Sequence, residues 1–363
     1  MKRIFAGAAV LLAAALFLQM PVQAISAQKA ILLDAQTGRV LFEKDADSRS
    51  LIASTTKIMT ALVVCEHCNV LDRMIIPKEA VGIEGSSMYL REGEVLTLQE
   101  LLYGLMLRSG NDAAVALAIY CGGTVEGFAC LMNDKARQLG MSGTHFENPN
   151  GLDSPGHYST ARDLAVLSAY AMKNPIFYQT VSTKSVRIGE RVLQNHNKLL
   201  WRLEGADGVK TGFTKAAGRI LVSSATRDGR RLICVTINAG DDWNDHTKLI
   251  NNGFTEYCVH PIVKKGDCLG VSAVFAGTED SVPLLAAEDF SFSLAADEKV
   301  TIVLPPPGFS YAPVSCGQNA GQASVCIGDQ TVGTIQLIYG KTVEQQRIQK
   351  KHHFWDKWFG DKT

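Results

Sequence analysis

The sequence has 363 residues, of which 46% are hydrophobic, so it is long enough for two domains with apolar cores. Lysine and arginine number 36, and aspartate and glutamate also number 36, which gives a formal net charge of zero. This balance excludes a general electrostatic attraction to nucleic acid or to anionic surfaces. We therefore expect no nucleic-acid partner, and any charged partner must be recognised locally.

The N-terminus has the pattern of a secretory signal peptide. Lys2 and Arg3 precede an apolar run over residues 4–18, and Val22-Gln23-Ala24 supplies small residues at the spacing that a signal peptidase reads. The run is short for a membrane-spanning helix, which favours cleavage over the alternative of an uncleaved anchor. We predict that residues 1–24 are a signal peptide and that the protein is exported.

The chain after the signal predicts a sheet that is interrupted by helices. The clearest elements, in chain order, are strands over 30–34 and 40–43, a helix after Ser54, helices over 98–107 and 113–120, and strands over 220–225 and 232–237. The sheet opens at the N-terminus and is completed far downstream, with a hairpin turn at 227–230. This order predicts an α/β (α+β) fold in which helices cover a largely antiparallel sheet with a helical insertion.

A second domain and a tail follow. Short strand-like runs with Gly and Pro breaks predict a small all-β domain over 261–340, for which a spacer or stabilising role is favoured. In residues 341–363, aromatic side chains share a helical face, and basic residues accompany them. Such a segment can lie in a membrane interface, so we expect a membrane surface as a partner of the tail; a frayed or docked tail is the alternative.

Nine cysteines in an exported chain leave the redox state open, because one would remain unpaired within a single chain. Cys316 and Cys326 are close in sequence and could pair. Cys65 and Cys68 resemble a redox or metal motif, but they fall in a predicted buried helix, which favours packing.

The first motif whose side chains could carry out catalysis is Ser54-Thr55-Thr56-Lys57. Ser54 is predicted at the start of a helix, where its N–H is free and the helix dipole favours negative charge. Lys57 lies three residues on, so its amine can reach the Ser54 hydroxyl. The amine accepts a proton only if its pKa is lowered, and burial with a second cation, Lys210, would lower it. By itself, Ser54 could be a plain helix N-cap.

The second motif, Ser109-Gly110-Asn111, is predicted between two helices. Gly110 permits a tight turn that aims both side chains at one point. Ser109 could relay a proton between Lys57, Lys210 and a leaving amine, and Asn111 could donate to a substrate carbonyl and orient Lys57. Taken alone, such a motif more often marks a helix end followed by an N-cap.

The third motif, Lys210-Thr211-Gly212, is predicted to precede the first strand of the late hairpin. An ammonium and a hydroxyl side by side suit a substrate carboxylate. Gly212 would let a substrate backbone lie along the strand, and the N–H groups of Phe213 and Ser54 would stabilise an oxyanion. The alternative is an ordinary turn.

The three motifs together resemble a known set, Ser-x-x-Lys, Ser-x-Asn and Lys-Thr-Gly, of penicillin-binding proteins and class A β-lactamases. Ser-Gly-Asn in the middle is similar to the low-molecular-mass penicillin-binding proteins that act as D-alanyl-D-alanine carboxypeptidases, serine peptidase family S11. Further matches are Gly85-Ser86-Ser87-Met88, Asn148-Pro149-Asn150-Gly151-Leu152 and Tyr158-Ser159-Thr160-Ala161-Arg162-Asp163. The resemblance implies a penicillin-binding/β-lactamase-like fold, with a catalytic domain over 25–260.

The resemblance also implies a reaction. Ser54 would attack the carbonyl between the two terminal D-alanines of a peptidoglycan stem peptide, with Lys57 as the base, and water would hydrolyse the acyl-enzyme. β-Lactam antibiotics would acylate Ser54 stably, and the site would lie outside the cytoplasm, at the membrane surface or in the wall. DD-endopeptidase, β-lactamase and a non-catalytic wall-binding module are the alternatives.

No cofactor is implied. Residues His145, Glu147 and His157 are close in sequence but lack a metal-ligand spacing, so we expect loop residues and no metal.

Overall fold

A five-stranded antiparallel sheet in the order β2-β1-β9-β8-β7 forms the centre of the first domain. The computed structural model describes residues 25–306 and 309–347, so the predicted signal peptide and residues 348–363 of the predicted tail lie outside the described residues. The strands of the first domain are β1 (Lys29–Asp34), β2 (Val40–Lys44), β3 (Arg73–Ile75), β4 (Val95–Thr97), β5 (Ser185–Ile188), β6 (Arg191–Gln194), β7 (Ala206–Thr214), β8 (Gly218–Arg227) and β9 (Arg230–Ile237).

Eight helices accompany these strands in the described part of the chain. They are α1 (Lys57–His67), α2 (Leu98–Leu107), α3 (Asn111–Gly122), α4 (Val125–Gln138), α5 (Ala161–Ala171), α6 (Pro175–Ser182), α7 (Leu199–Arg202) and α8 (Asp242–Glu256), with 3-10 turns at Ala53–Thr56 and Lys78–Ala80. The predicted antiparallel sheet with a helical insertion is confirmed. Within residues 25–306 and 309–347, no single helix is long and apolar enough to cross a bilayer; α3 and α4 pass that test as a sharply bent pair.

The sheet has two apolar faces because side chains alternate along each strand. Ile31, Val222 and Val235 face the larger core, which they share with the helices of the insertion. Leu32 and Leu232 face the opposite core, where α8 covers the sheet. The catalytic motifs lie where the insertion meets one edge of this sheet.

The strand β7 corrects one sequence expectation. The sequence predicts that Lys210, Thr211 and Gly212 precede the first strand of the hairpin, but they lie inside β7, which pairs with β8 along its length. The strand β7 lies at the edge of the sheet and has few apolar residues. It is a strand because its backbone pairs with β8, and not because its residue types favour one. The third motif therefore lies along an open sheet edge.

The second domain is all β, as its sequence predicts. Its strands are β10 (Tyr257–Val263), β11 (Cys268–Phe275), β12 (Ser281–Ala286), β13 (Phe290–Ala295), β14 (Val300–Val303), β15 (Phe309–Tyr311), β16 (Asn319–Ile327) and β17 (Gln330–Tyr339). Six form a sheet in the order β14-β16-β17-β12-β11-β15, and β10 pairs with β13. The domain boundary predicted at residues 260/261 falls inside β10.

A buried carboxylate of the first domain, which is paired with an arginine of the same domain, also bonds to the second domain. Asp34, which is fully buried in the first domain, accepts hydrogen bonds from Arg230 Nε at 2.7 Å and from Ser293 Oγ at 2.6 Å. Arg39 donates to Glu298 at 2.6 Å beside this contact. Because these bonds tie β1 and β9 to β13, they fix the second domain against the sheet.

All nine cysteines are free thiols, so the suggested pair of Cys316 and Cys326 does not form. The sulfur of Cys326 lies 3.7 Å from Thr331 Oγ1, at the start of β17. The sulfur of Cys316 lies 3.5 Å from the carbonyl oxygen of Gly340, just past the end of β17. A strand of this length separates the two thiols by roughly 30 Å. Cys65 lies in α1, where burial raises the pKa of its thiol to about 12.

Candidate active site

Ser54 lies in the 3-10 turn that leads into α1, so its side chain is presented at the start of a helix as predicted. The preceding residue, Ala53, has a φ of +45°, a conformation that residues with a side chain rarely adopt. Such strain is found mainly where the surrounding structure holds a functional residue in place. Ser54 is half-buried, and its hydroxyl accepts a hydrogen bond from Lys57 Nζ at 2.9 Å.

The Lys57 amine is completely buried and has three oxygen neighbours. Besides Ser54 Oγ, it donates to Asn111 Oδ1 at 2.7 Å and to the carbonyl oxygen of Asn150 at 2.5 Å. Burial, and secondly the positive charge of Lys210, holds the pKa of Lys57 well below its usual value of 10.5. A neutral amine at this position can accept the proton of the Ser54 hydroxyl.

The turn between α2 and α3 positions the second motif. Ser109 has a φ of +61°, and Asn111 begins α3, so the chain reverses sharply between the two helices. The Asn111 side chain donates from Nδ2 to the carbonyl oxygen of Glu84 at 2.5 Å while its Oδ1 accepts from Lys57. Gly85 is required here, because a Cβ at that position would lie 2.7 Å from Asn111 Nδ2.

Asp112 holds the loop that packs over this turn. Its buried carboxylate accepts hydrogen bonds from Met88 N at 3.1 Å, Leu90 N at 3.0 Å and Ser87 Oγ at 2.6 Å. These bonds fix residues 87–90, which closely follow the Glu84 carbonyl group bound by Asn111. Sequence reasoning did not single out Asp112, although it directly follows the second motif.

The third motif approaches Ser54 from the sheet edge. A Cβ on Gly212 would lie 3.3 Å from Ser54 N and 3.2 Å from Thr55 N, so the strand backbone packs closely against the helix start. Lys210 is 1% exposed, and burial lowers the pKa of its amine to about 7. Thr211 is partly buried on the same strand, and Phe213 is 65% exposed.

The predicted proton relay is not formed as a chain of hydrogen bonds in this structure. Lys210 Nζ donates to the carbonyl oxygen of Thr211 at 2.7 Å. Across residues 25–306 and 309–347, neither lysine donates to the hydroxyl of Ser109, which is 5% exposed. Ser54, Lys57 and Asn111 are therefore directly connected, whereas Ser109 and Lys210 border the same site.

The loop at 148–157 supplies contacts that sequence reasoning missed. The carbonyl oxygen of Asn150 binds Lys57 across 93 positions of chain, and Gly151 lies directly against the turn that carries the serine. A Cβ on Gly151 would be 1.9 Å from the carbonyl oxygen of Ala53. The motif around Asn150 matches the family, but a backbone carbonyl group that accepts a hydrogen bond has no residue-type signal.

His157 takes part in holding this loop. Its ring lies 2.7 Å from Thr56 Oγ1 through Nε2, while Nδ1 accepts from the backbone N–H of Glu147 at 3.1 Å. Burial lowers the pKa of His157 to about 4, so the ring is neutral at pH 7. His145 bonds to Gly156 instead, at 2.7 Å. Within the described residues, these side chains form no group of three that could hold a metal ion.

The fold and this site define a class, the serine hydrolases of penicillin-binding type that work through an acyl-enzyme. A family model described as D-alanyl-D-alanine carboxypeptidase matches residues 17–241, and one described as penicillin-binding protein 5, C-terminal domain, matches residues 257–345. The chain belongs to the D-alanyl-D-alanine carboxypeptidase family, serine peptidase family S11.

Individual relatives agree over most of the chain. It is 32% identical to D-alanyl-D-alanine carboxypeptidase DacF of Bacillus subtilis, covering 81% of this chain and 80% of the relative. It is 32% identical to D-alanyl-D-alanine carboxypeptidase DacC of Escherichia coli, covering 92% and 91%. The solved structure of penicillin binding protein 5 from Haemophilus influenzae superposes with a TM-score of 0.78 at 30% identity, covering 89% of this chain and 98% of that one.

Proposed function

We propose that this chain removes the terminal D-alanine from peptidoglycan stem peptides, with Ser54 as the nucleophile and Lys57 as its base. The observation that carries the assignment is the 2.9 Å contact between Lys57 Nζ and Ser54 Oγ, made by an amine that is completely buried. A serine hydroxyl is a weak nucleophile unless a neighbouring base takes its proton. Membership of the carboxypeptidase family supplies the substrate class.

Acylation begins when the Ser54 oxygen attacks the carbonyl carbon between the two D-alanines. Lys57 takes the hydroxyl proton, the C–N bond breaks, and the leaving amine of D-alanine receives a proton. Asn111, which binds Lys57 at 2.7 Å, keeps the amine directed at Ser54. Ser109 delivers the proton to the leaving amine. Water then hydrolyses the ester and restores Ser54.

The sheet edge binds the substrate. Lys210 and Thr211 bind the terminal carboxylate, which favours the charged form of Lys210 over the neutral one that burial favours. The backbone N–H groups of Ser54 and Phe213 stabilise the negative charge on the carbonyl oxygen in the transition state. β-Lactam antibiotics present a carboxylate and a strained amide to the same groups and acylate Ser54. No cofactor and no metal take part.

The enzyme acts outside the cytoplasm, because peptidoglycan is assembled there. The signal peptide over 1–24 directs export, and the aromatic and basic tail within 341–363 holds the enzyme at the outer face of the cytoplasmic membrane. The second domain, which is fixed to the first through the hydrogen bond from Ser293 to Asp34 at 2.6 Å, then serves as a spacer between membrane and active site.

Release of D-alanine from a synthetic stem pentapeptide tests this function. We expect the full chain to release one equivalent per peptide and Ser54→Ala to release none, while Ser142→Ala, which changes an exposed serine away from the site, keeps wild-type activity. Equal release by the Ser54 variant would overturn the nucleophile assignment. No release by the wild type would overturn the proposed function.

A further inference from the structure

Three cysteines lie together at the ends of helices α1 and α3. Cys65 is in the last turn of α1, Cys68 directly follows this helix, and Cys121 is the second-last residue of α3. Each side chain is half-buried and packs against the larger core. Cys65 and Cys68 form the Cys-x-x-Cys pair of the sequence, and the fold adds Cys121 to them as a third thiol.

The side chains of Cys68 and Cys121 are in direct contact, because a hydrogen bond joins them. Beside them, Tyr120 Oη donates a hydrogen bond to Asp72 Oδ2 at 3.1 Å. This second bond holds the last turn of α3 against the segment that follows α1. Two thiols that already touch, on segments that another bond holds together, meet the first geometric condition for a disulfide.

The thiol pair lies at one end of a helix pair whose other end is the active site. The helix α1 begins with Lys57, α3 begins with Asn111, and Lys57 Nζ donates to Asn111 Oδ1 at 2.7 Å. Cys68 lies 11 residues after the start of α1, and Cys121 lies 10 residues after the start of α3. At 1.5 Å per residue, both are about 15 Å along the helices from the active site. The two helices therefore run side by side in the same direction, and the thiols meet at the same level.

Oxidation is the chemistry that this thiol pair can undergo. Within residues 25–306 and 309–347, no three His, Cys, Asp or Glu side chains are arranged to hold a metal ion. The distance along the helices also separates the thiols from the reaction at Ser54. Outside the cytoplasm, where the proposed function places this protein, disulfides form and persist.

We propose that Cys68 and Cys121 form a disulfide in the exported protein, which closes the helix pair at the end opposite the active site. The proposal rests on the proposed function for the location of the protein. The structure has the pair in its reduced form. The oxidant is itself a disulfide, of a small thiol or of a redox protein, because such oxidants convert cysteine pairs by thiol–disulfide exchange.

The exchange takes place in two steps. The Cys68 thiolate attacks one sulfur of the oxidant, an S–S bond forms between them, and one oxidant thiol leaves. Cys121 then loses its proton and attacks the Cys68 sulfur, which forms the internal S–S bond and releases the second oxidant thiol. In total, the two cysteines lose two protons and two electrons, and the oxidant gains them as two thiols.

The order of the steps follows from the surroundings of the two sulfurs. Burial, and secondly the hydrogen bond with Cys68, raises the pKa of Cys121 to about 12. A thiol with so high a pKa is a weak nucleophile at neutral pH, because the thiolate is the reactive form. Cys68 is therefore the thiol that attacks the oxidant first.

The disulfide stabilises the catalytic domain because it closes a long loop. Cys68 and Cys121 are 53 positions apart, so a bond between them removes much of the conformational freedom of the unfolded chain. We expect oxidation of the pair to raise the Tm by about 10 °C, given this loop length and a domain of this size. Because Lys57 and Asn111 already join the other ends of the helices, we expect the rate of acylation by a penicillin to stay unchanged.

The test uses the full chain, reduced and then equilibrated with a glutathione buffer as oxidising as the space outside the cytoplasm. Free thiols are blocked with N-ethylmaleimide before digestion. Trypsin and glutamyl endopeptidase together give residues 67–73, in which Cys68 is the only cysteine, and residues 109–126, in which Cys121 is the only cysteine. We expect mass spectrometry to find these two peptides linked and to find them separate after reduction.

Matched variants assign the increase in Tm to this pair. Cys121→Ser should have the same Tm in its oxidised and reduced forms. Cys130→Ser, which changes an exposed cysteine in α4, should keep the increase of about 10 °C. Each variant is compared with its own reduced form, so the cost of the substitution itself cancels. The linked peptides and the Tm of the wild type decide the matter even where Cys121→Ser fails to fold.

Other results overturn the proposal. A link between Cys65 and Cys68, or an oxidised wild type without the linked peptides, contradicts the assigned pair. An equal increase in Tm in Cys121→Ser assigns the stabilisation to other cysteines. Release of D-alanine without the linked peptides refutes the disulfide and leaves the carboxypeptidase function standing. Linked peptides without release of D-alanine refute the proposed function and leave the disulfide standing.

Discussion

Gly151→Ala is the substitution that most directly probes how the loop at 148–157 supports the catalytic serine. The new Cβ would lie 1.9 Å from the carbonyl oxygen of Ala53, more than 1 Å inside the 3.0 Å that real Cβ atoms require. Gly151 also has a φ of +84°, where an alanine costs about 1 kcal/mol or more. Relief of the collision moves either the residue before Ser54 or the Asn150 carbonyl that binds Lys57.

The matched control is Gly93→Ala. Gly93 has a similar φ of +76°, but a Cβ there meets no atom within 4 Å. Both variants pay the backbone cost, so the difference isolates the collision, for which overpacking costs about 1–3 kcal/mol. We expect Gly151→Ala to unfold in urea with a free energy about 2 kcal/mol below that of the control. Its acylation by a fluorescent penicillin should slow about 100-fold, because a displacement of about 1 Å at a reacting group has that effect. Equal stability and equal acylation rates in the two variants would refute the reasoning.

Three further predictions concern protonation. Because acylation needs neutral Lys57, the rate of labelling by a penicillin should rise with pH through a pKa well below 10.5. Lys210→Gln removes a nearby positive charge and should move this rise to higher pH. An unchanged pH profile in Lys210→Gln would contradict the role of the second cation. Although burial opposes ionisation of Asp34, hydrogen bonds from Ser293 and Arg230 lower its pKa below 3.8. The stability that the Asp34 carboxylate contributes is therefore present above pH 3.8, and it is lost as the pH falls through the lowered pKa of the folded state. Asp34→Asn, which leaves Arg230 without its partner, should lower the unfolding free energy at pH 7 by about 3 kcal/mol, and a change below 1 kcal/mol would count against the domain junction. Burial keeps the pKa of His157 at about 4, against 6.5 when unfolded, so stability should fall between pH 6.5 and 4, and His157→Gln should flatten that part of the urea-denaturation profile.

The sequence predicts the part of this molecule that depends on local patterns. Apolar periodicity after Ser54 predicts α1, and the alternation over 220–225 and 232–237 predicts strands that the structure extends to Gly218–Arg227 and Arg230–Ile237. The three motifs are recognisable because each has the residue types that its chemistry requires. Ser54 and Lys57, whose side chains bond directly to each other, are only three positions apart in the chain.

What the sequence does not predict depends on contacts between distant segments. The strand β7 has too few apolar residues to be recognised, since an edge strand is defined by its pairing with β8. The Asn150 carbonyl acts through its backbone, and Asp112 acts through three groups that lie 22 to 25 positions away. Cys316 and Cys326 are near in sequence but lie beside opposite ends of β17, because most of the extended strand β16 lies between them.

Mass spectrometry after labelling with a penicillin tests the role of Ser54 as the nucleophile most directly. We expect one covalent adduct, on the peptide that contains Ser54. We also expect Ser54→Ala to abolish the adduct and Ser142→Ala to keep it. An adduct on another residue, or labelling that persists in Ser54→Ala, would contradict the assignment of Ser54 as the nucleophile.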